Sequence, residues 1–179
     1  PNVEVVLLLV EKANNEKPSI PNKLAAYPYR NFWWRYFKRY KLDIPAYGSA
    51  SLQHKLKNVP QLVCEPFLKG KHSQYFSTAE ISKIASYQPD IILRFAFNIL
   101  RGEILKVARY GVWSFHHADE QIIRGGPAAF WEIYKGMPTT SAILQRLTEK
   151  LDGGIVLRKG HFKTIHHSYK ANLQQLLAG

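Results

Sequence analysis

The stretch GVWSFHHADEQIIRGGPAAFWEIYKG, residues 111–136, decides how this chain is built. Its first positions alternate as a strand does, with successive side chains on opposite faces, so Ser114 and His116 share one face and Trp113 and Phe115 the other. Gly125 and Gly126 then break the chain, and Pro127 suits the first turn of a helix predicted over residues 128–134. A strand ending in a hydroxyl and an imidazole, followed by a loop and a helix, is a unit of an α/β domain. In such domains the ligand crevice lies at the carboxyl ends of the strands.

The same alternation of elements continues on both sides. Upstream, DIILRFAF (residues 90–97) reads as a buried strand ending at Asn98. A helix over residues 77–87 precedes it, with Ser77 or Thr78 capping and Glu80 in its first turn. Residues 102–109 form a further short helix. Residues 3–10 are an almost continuous Val/Leu run, which suits a strand buried on both faces of a parallel sheet. A short turn at 51–57 and a short strand at 62–67 follow a break at Pro45 and Gly48. Downstream, residues 140–147 alternate as a partly exposed strand, residues 155–159 pair with it or with a neighbour, and residues 169–177 close the chain as a helix. The pattern predicts an α/β fold with a mostly parallel sheet flanked by helices and a C-terminal strand pair. No internal repeat interrupts it.

At 179 residues and 46% hydrophobic, the chain fits one domain with a real core. The opening NVEVVLLLV is too short to cross a bilayer and lacks the flanks of a signal peptide. The single cysteine, Cys64, offers neither an internal disulfide nor a zinc knuckle, so a cytoplasmic protein is expected. The net charge of +12 favours anionic partners: a nucleotide, a tRNA or a phosphorylated small molecule. The basic excess concentrates in PYRNFWWRYFKRYK, residues 28–41. At ~100° per residue Trp33, Tyr36, Phe37 and Tyr40 segregate from Arg35, Lys38 and Arg39. That segregation favours a packed amphipathic helix over a single-strand stacking platform, in which aromatic and basic residues mix.

His116 and its neighbour His117 face opposite ways and are poor joint ligands for one metal ion. His161, His166 and His167 add no ligand spacing, so no metal is expected. A single histidine near a strand end is commonly just a hydrogen-bonded structural side chain. Two downstream features add chemistry. Arg124 stands just before the Gly-Gly turn and a helix N-terminus, an environment suited to an anion. Asp152 sits in a Leu-Asp-Gly-Gly loop, where Gly153 lets a ligand approach closely. His116 and Asp152 would form an acid-base pair if the fold brings them together.

The order Ser-x-His, Arg-Gly-Gly-Pro, Lys-Gly, TTSAILQRL and LDGGIV, within residues 90–157, resembles the folate-dependent formyltransferase family. That resemblance implies a Rossmann-like formyltransferase fold and a single catalytic domain over residues 1–179 that lacks its first strand and helix. It also implies 10-formyltetrahydrofolate as formyl donor. The acceptor would be a small-molecule or nucleotide-linked amine, such as an amino sugar, or an aminoacyl-tRNA.

In that reading His116 and Asp152 match the family's catalytic histidine and aspartate, with His116 stabilising the oxyanion and Asp152 holding it charged. Ser114 occupies the position of the catalytic asparagine. Phe95, Phe97, Asn98, Leu100 and Gly153 correspond to the cofactor pocket; Arg124 and Asp119 would face the acceptor. Two departures stand out. Ser114 removes the amide, and ADEQII replaces the family's Ser-Leu-Leu-Pro loop, placing Asp119 and Glu120 where an acidic wall would suit a cationic amine. The chain could instead be a catalytically impaired folate- or ligand-binding protein, or a basic nucleic-acid-binding protein. The acceptor and the oligomeric state are not legible.

Overall fold

A computed structural model of the chain describes residues 3–12, 55–70, 72–95, 97–123, 125–150 and 153–178. The aromatic segment 28–41, the Pro45/Gly48 break, Arg124 and Asp152 lie outside the described residues. Nine strands are described: β1 Leu8–Glu11, β2 Gln61–Cys64, β3 Phe67–Lys69, β4 Ser73–Tyr75, β5 Ile92–Arg94, β6 Ile99–Leu100, β7 Val112–His116, β8 Thr139–Arg146 and β9 Ile155–Lys163. The helices are α1 Thr78–Ala85, α2 Trp131–Tyr134 and α3 Tyr169–Ala178, with a 3-10 turn at Gly102–Leu105. The strands form sheets ordered β1-β2, β3-β4-β6 and β5-β7-β8-β9. Pairs β1/β2, β4/β6 and β5/β7 are parallel; β3/β4, β7/β8 and β8/β9 are antiparallel. The fold is α/β with mixed sheets, and β8 and β9 are its C-terminal strand pair.

The core explains where the helices dock. Leu62, Cys64, Ile84, Phe97, Leu100, Ile104, Leu105 and Val112 cluster, with Leu7, Leu9 and Ile92 packed against them. Thus α1, through Ile84, covers residues from β2, β6 and β7. Ser77 caps α1 and Glu80 completes a reciprocal capping box, its carboxylate accepting from the Ser77 N–H at 2.8 Å. Cys64 has no exposure, and burial pushes its thiol up to about 11, so it is an inert core residue.

Several elements differ from the sequence expectation, each for a local reason. The first strand is confined to residues 8–11, and Val3 (92% exposed) and Val10 (40%) face outward, so β1 is buried on one side only. The strand expected at 62–67 splits at Pro66, which has no N–H to continue a ladder. The strand expected at 90–97 ends at Arg94, whose side chain folds forward onto the Phe97 carbonyl. The short helix of residues 102–109 is a single 3-10 turn. The helix after Pro127 starts only at Trp131, because Ala129 has a φ of +61°, a left-handed value no helix interior accepts. Finally, β8 is more buried than expected: it is central, flanked by β7 and β9, and Thr140, Ser141 and Ile143 are all buried. No helix among the described residues is long and apolar enough to cross a membrane.

The left-handed Ala129 is held by α3. Asn172, fully buried, donates from Nδ2 to the Ala129 carbonyl (3.1 Å) and to Thr140 Oγ1 (2.9 Å). Its Oδ1 accepts from the Ile165 N–H at 3.0 Å. One side chain therefore ties α3 to β8 and to the connection leading into α2. Replacing Asn172 by Ala strips partners from a buried carbonyl and a part-buried N–H, which costs about 2–4 kcal/mol. The expected outcome is a lower urea midpoint with an unchanged slope; a midpoint within error of wild type would show that the network does not hold this end of the fold.

Candidate active site

Strand β7 positions the site, because it pairs on both sides. Its parallel register with β5 sets Arg94 beside Ser114, and its antiparallel register with β8 sets Ser114 beside Gln145 and His116 beside Ile143. Strand alternation puts Ser114 and His116 on one face. The Arg94 side chain uses that pairing: Nη1 donates to Ser114 Oγ at 3.0 Å and Nε to the Phe97 carbonyl at 2.8 Å. Ser114 in turn donates to the Phe115 carbonyl at 3.3 Å and is 2% exposed. Burial pushes the Arg94 guanidinium below its ordinary value, and among the described residues no ion pair offsets it.

Arg94 and His116 open onto a cleft of about 150 Å³, lined also by Leu100, Arg101, Thr148 and Gly154. One wall is the edge of β6. Ile99 and Arg101 donate their N–H groups to His72 (3.1 Å) and Gln74 (3.0 Å) on the β4 side. The N–H and C=O of Leu100 therefore point the other way, free of the ladder. The opposite wall is the loop after β8. Arg101 clasps the two walls together, with Nη1 donating to the Thr148 carbonyl (3.2 Å) and to that of Glu149. The Gly102 N–H donates to Glu149 Oε1 at 2.8 Å. Thr148 Oγ1 closes the loop by donating to the Gly153 carbonyl at 2.9 Å. Gly154 passes so near β8 that a Cβ there would lie 3.0 Å from the Arg146 carbonyl.

The remaining candidates are spread more widely. Phe97 is a core residue, its ring 5.6 Å from that of Phe76, whereas Phe95 is 79% exposed. Asn98 is exposed, and its N–H donates to Gln74 Oε1 at 2.7 Å. Gly153 lies in the clasped loop, beside Gly154. Burial, then the neighbouring His116, holds the half-buried His117 imidazole below its ordinary value. Asp119 and Glu120 do not form an open acidic wall. Lys159 of β9 lies 3.1 Å from Asp119 Oδ1 and 3.2 Å from Glu120 Oε2. Among the described residues no group of three His, Cys, Asp or Glu side chains is placed to hold a metal ion.

Comparison with known proteins points in one direction. Over 83 residues, 46% of the chain, it is 34% identical to methionyl-tRNA formyltransferase of Bacillus subtilis strain 168. Over that segment the chain is similar to a folate-dependent formyltransferase. It spans 26% of that relative's length. The fold agrees with glycinamide ribonucleotide transformylase 1 of Symbiobacterium toebii, at a TM-score of 0.55 and 14% identity, covering 73% of this chain and 63% of that one. It agrees also with a formyltetrahydrofolate deformylase of Pseudomonas syringae pv. tomato, at 0.54 and 18% identity, covering 70% and 43%. No family model matches the chain.

Within this formyltransferase fold, three contacts were not legible in advance. Arg94 gave the clearest signal, as a lone charge inside the apolar run IILRFAF. Arg101 gave none, because its partners are carbonyls 47 and 48 residues away. Lys159 gave none either, since β9 had no assigned register against residues 119–120.

The Lys159 cluster makes a pH-dependent contribution. Burial acts to raise the Asp119 carboxyl, but bonds from the Gln121 N–H and Lys159, together with the Lys159 charge, hold it below its ordinary value. Burial acts to lower the Lys159 ammonium, and its bonds to Asp119 and Glu120 raise it. A depressed carboxyl stabilises the fold above the ordinary carboxylate range and loses that effect as pH falls through its depressed value. A raised ammonium contributes below its ordinary value and stops as pH rises through its raised one. Lys159→Met should therefore lower the urea midpoint at neutral pH, with the deficit shrinking below about pH 4. A deficit that is constant down to low pH would mean that packing, not charge, was lost.

Proposed function

We propose that this chain transfers a formyl group from 10-formyltetrahydrofolate to an amine acceptor. The observation that carries the reading is the placement of His116 at the end of β7, opening onto a cleft between the edge of β6, unpaired among the described residues, and a clasped loop. A flat heterocycle with donors and acceptors along its rim suits that cleft. Leu100 offers one N–H and one C=O on one side, and Thr148 and Gly154 of the loop after β8 line the other. At about 150 Å³ the cleft suits a ring system but not a whole folate, whose tail would lie outside.

The donor, when bound, supplies an activated formyl carbon. His116 would donate a hydrogen bond to the formyl oxygen as negative charge develops there. Asp152, matched to the family aspartate by its Leu-Asp-Gly-Gly setting, would keep His116 charged and receive the amine proton directly or through water.

The acceptor is framed by charge. Lys159 offsets Asp119 and Glu120, so the loop that replaces Ser-Leu-Leu-Pro does not select a cationic amine by charge alone. A small-molecule amine, a nucleotide-linked amine and an aminoacyl-tRNA all remain within the proposal, with Arg124 as a candidate contact to an anionic acceptor. The supply of a reduced folate and the buried, unreactive Cys64 fit a cytoplasmic setting. A second reading, a folate-binding protein without chemistry, has one specific support: both polar functions of Ser114 are committed to Arg94 and Phe115 rather than to the cleft.

Calorimetry with a non-hydrolysable folate analogue and a transfer assay on a panel of amines separate these readings. Wild type should bind the analogue, and His116→Ala should retain binding of an analogue that lacks the formyl group while losing about 10²-fold or more in transfer. Failure of wild type to bind would overturn the folate reading. Binding without transfer to any amine would establish the second.

A further inference from the structure

We infer that Arg94 has taken over the work of the missing amide and is a catalytic residue that donates to the formyl oxygen beside His116. This rests on the formyl-transfer reading above and identifies a residue that the family pattern does not supply.

Three observations converge on it. First, Ser114 cannot replace an amide donor. Its oxygen accepts from Arg94 Nη1 at 3.0 Å, its proton goes to the Phe115 carbonyl at 3.3 Å, and it is 2% exposed. Second, Arg94 reaches the same place from the neighbouring strand. The β5/β7 register makes Arg94 and Ser114 direct partners, and Arg94 lines the cleft together with His116. The short serine leaves room for the guanidinium that a longer asparagine would occupy.

Third, Arg94 is anchored but not used up. A guanidinium carries five N–H donors in a fixed fork. One goes to the Phe97 carbonyl and one to Ser114, and the others have no partner among the described residues. No carboxylate among those residues pairs with it, although it is half-buried. A buried cation without a counter-charge is costly at rest, and that cost falls when negative charge develops next to it.

The step balances without a further reactant. The amine nitrogen bonds to the formyl carbon, and the carbonyl π pair moves onto the oxygen, where His116 and Arg94 donate. The pair then returns, the bond from carbon to N10 breaks, and N10 gains the proton that the amine nitrogen loses. Formyl and hydrogen have exchanged places between two nitrogens. Arg94 keeps its proton throughout, and Ser114 is a positioning residue that acts through it.

The test is a pair of calorimetric probes: a 10-formyl dideazafolate and the same compound without its formyl group. Arg94→Ala should reduce affinity for the formyl probe about tenfold while leaving the other within about twofold, since only one charge-assisted hydrogen bond is lost. Arg94→Lys keeps the charge and the apolar stem but not the fork. It guards against simple unfolding, which thermal melts monitor, and should lose part of the same discrimination. Equal losses on both probes would place Arg94 on another part of the folate and overturn the inference. So would unchanged discrimination in both variants. If wild type binds neither probe, the folate reading itself has failed, a result distinct from a failure confined to the Arg94 variants.

Discussion

The hydrogen-bond register of β7 is the constraint on which the site depends. This strand is parallel to β5 on one side and antiparallel to β8 on the other, so its position is fixed twice. Val112, with no exposure, is buried at its start, where its carbonyl accepts from the Leu147 N–H at 2.8 Å. A slip of one residue would turn Ser114 and His116 to the opposite face and separate Ser114 from Arg94. The loop after β8 leaves beside Val112, and the segment leading to β6 leaves after Arg94, beside Ser114. The chemistry of the site therefore follows from sheet pairing more than from any single motif.

A second set of contacts shapes what the sheet provides. Arg101 and Gly102 hold the loop after β8 against the end of β6, so the width of the cleft depends on bonds between backbone and two polar side chains. Farther away, Asn172 fixes α3 onto β8 and supports the left-handed Ala129. The buried Asn172 amide is fully partnered, which is the condition under which it holds one arrangement instead of loosening it.

Much of the architecture was readable in the residues. Period-two alternation marked β7 and β8, and Ser77 with Glu80 marked the start of α1. Elements were misjudged where one residue overrode a pattern: Pro66 divided a strand, Ala129 delayed a helix, and the run of valines at the start is largely outward-facing. For the site, the two faces of β7 could be read locally, but the reach of Arg94 over Ser114 required the pairing of strands 20 residues apart. The clamp of Lys159 on Asp119 and Glu120 likewise joins positions 40 and 39 residues apart, so a pair that reads as acidic in sequence is largely balanced in space. Phe97 shows the reverse case, a loop aromatic that suits a ligand pocket by position and is instead part of the core.

The central claim is that the cleft between Leu100 and the 148–154 loop receives a formyl-bearing ring beside Arg94 and His116. Its most direct test is an experimental structure of the full chain with a 10-formyl dideazafolate bound. The account predicts the ring between those two walls and the formyl oxygen within hydrogen-bond distance of both His116 and the remaining guanidinium N–H groups of Arg94. A ring bound elsewhere, or a formyl oxygen turned away from both side chains, would contradict it.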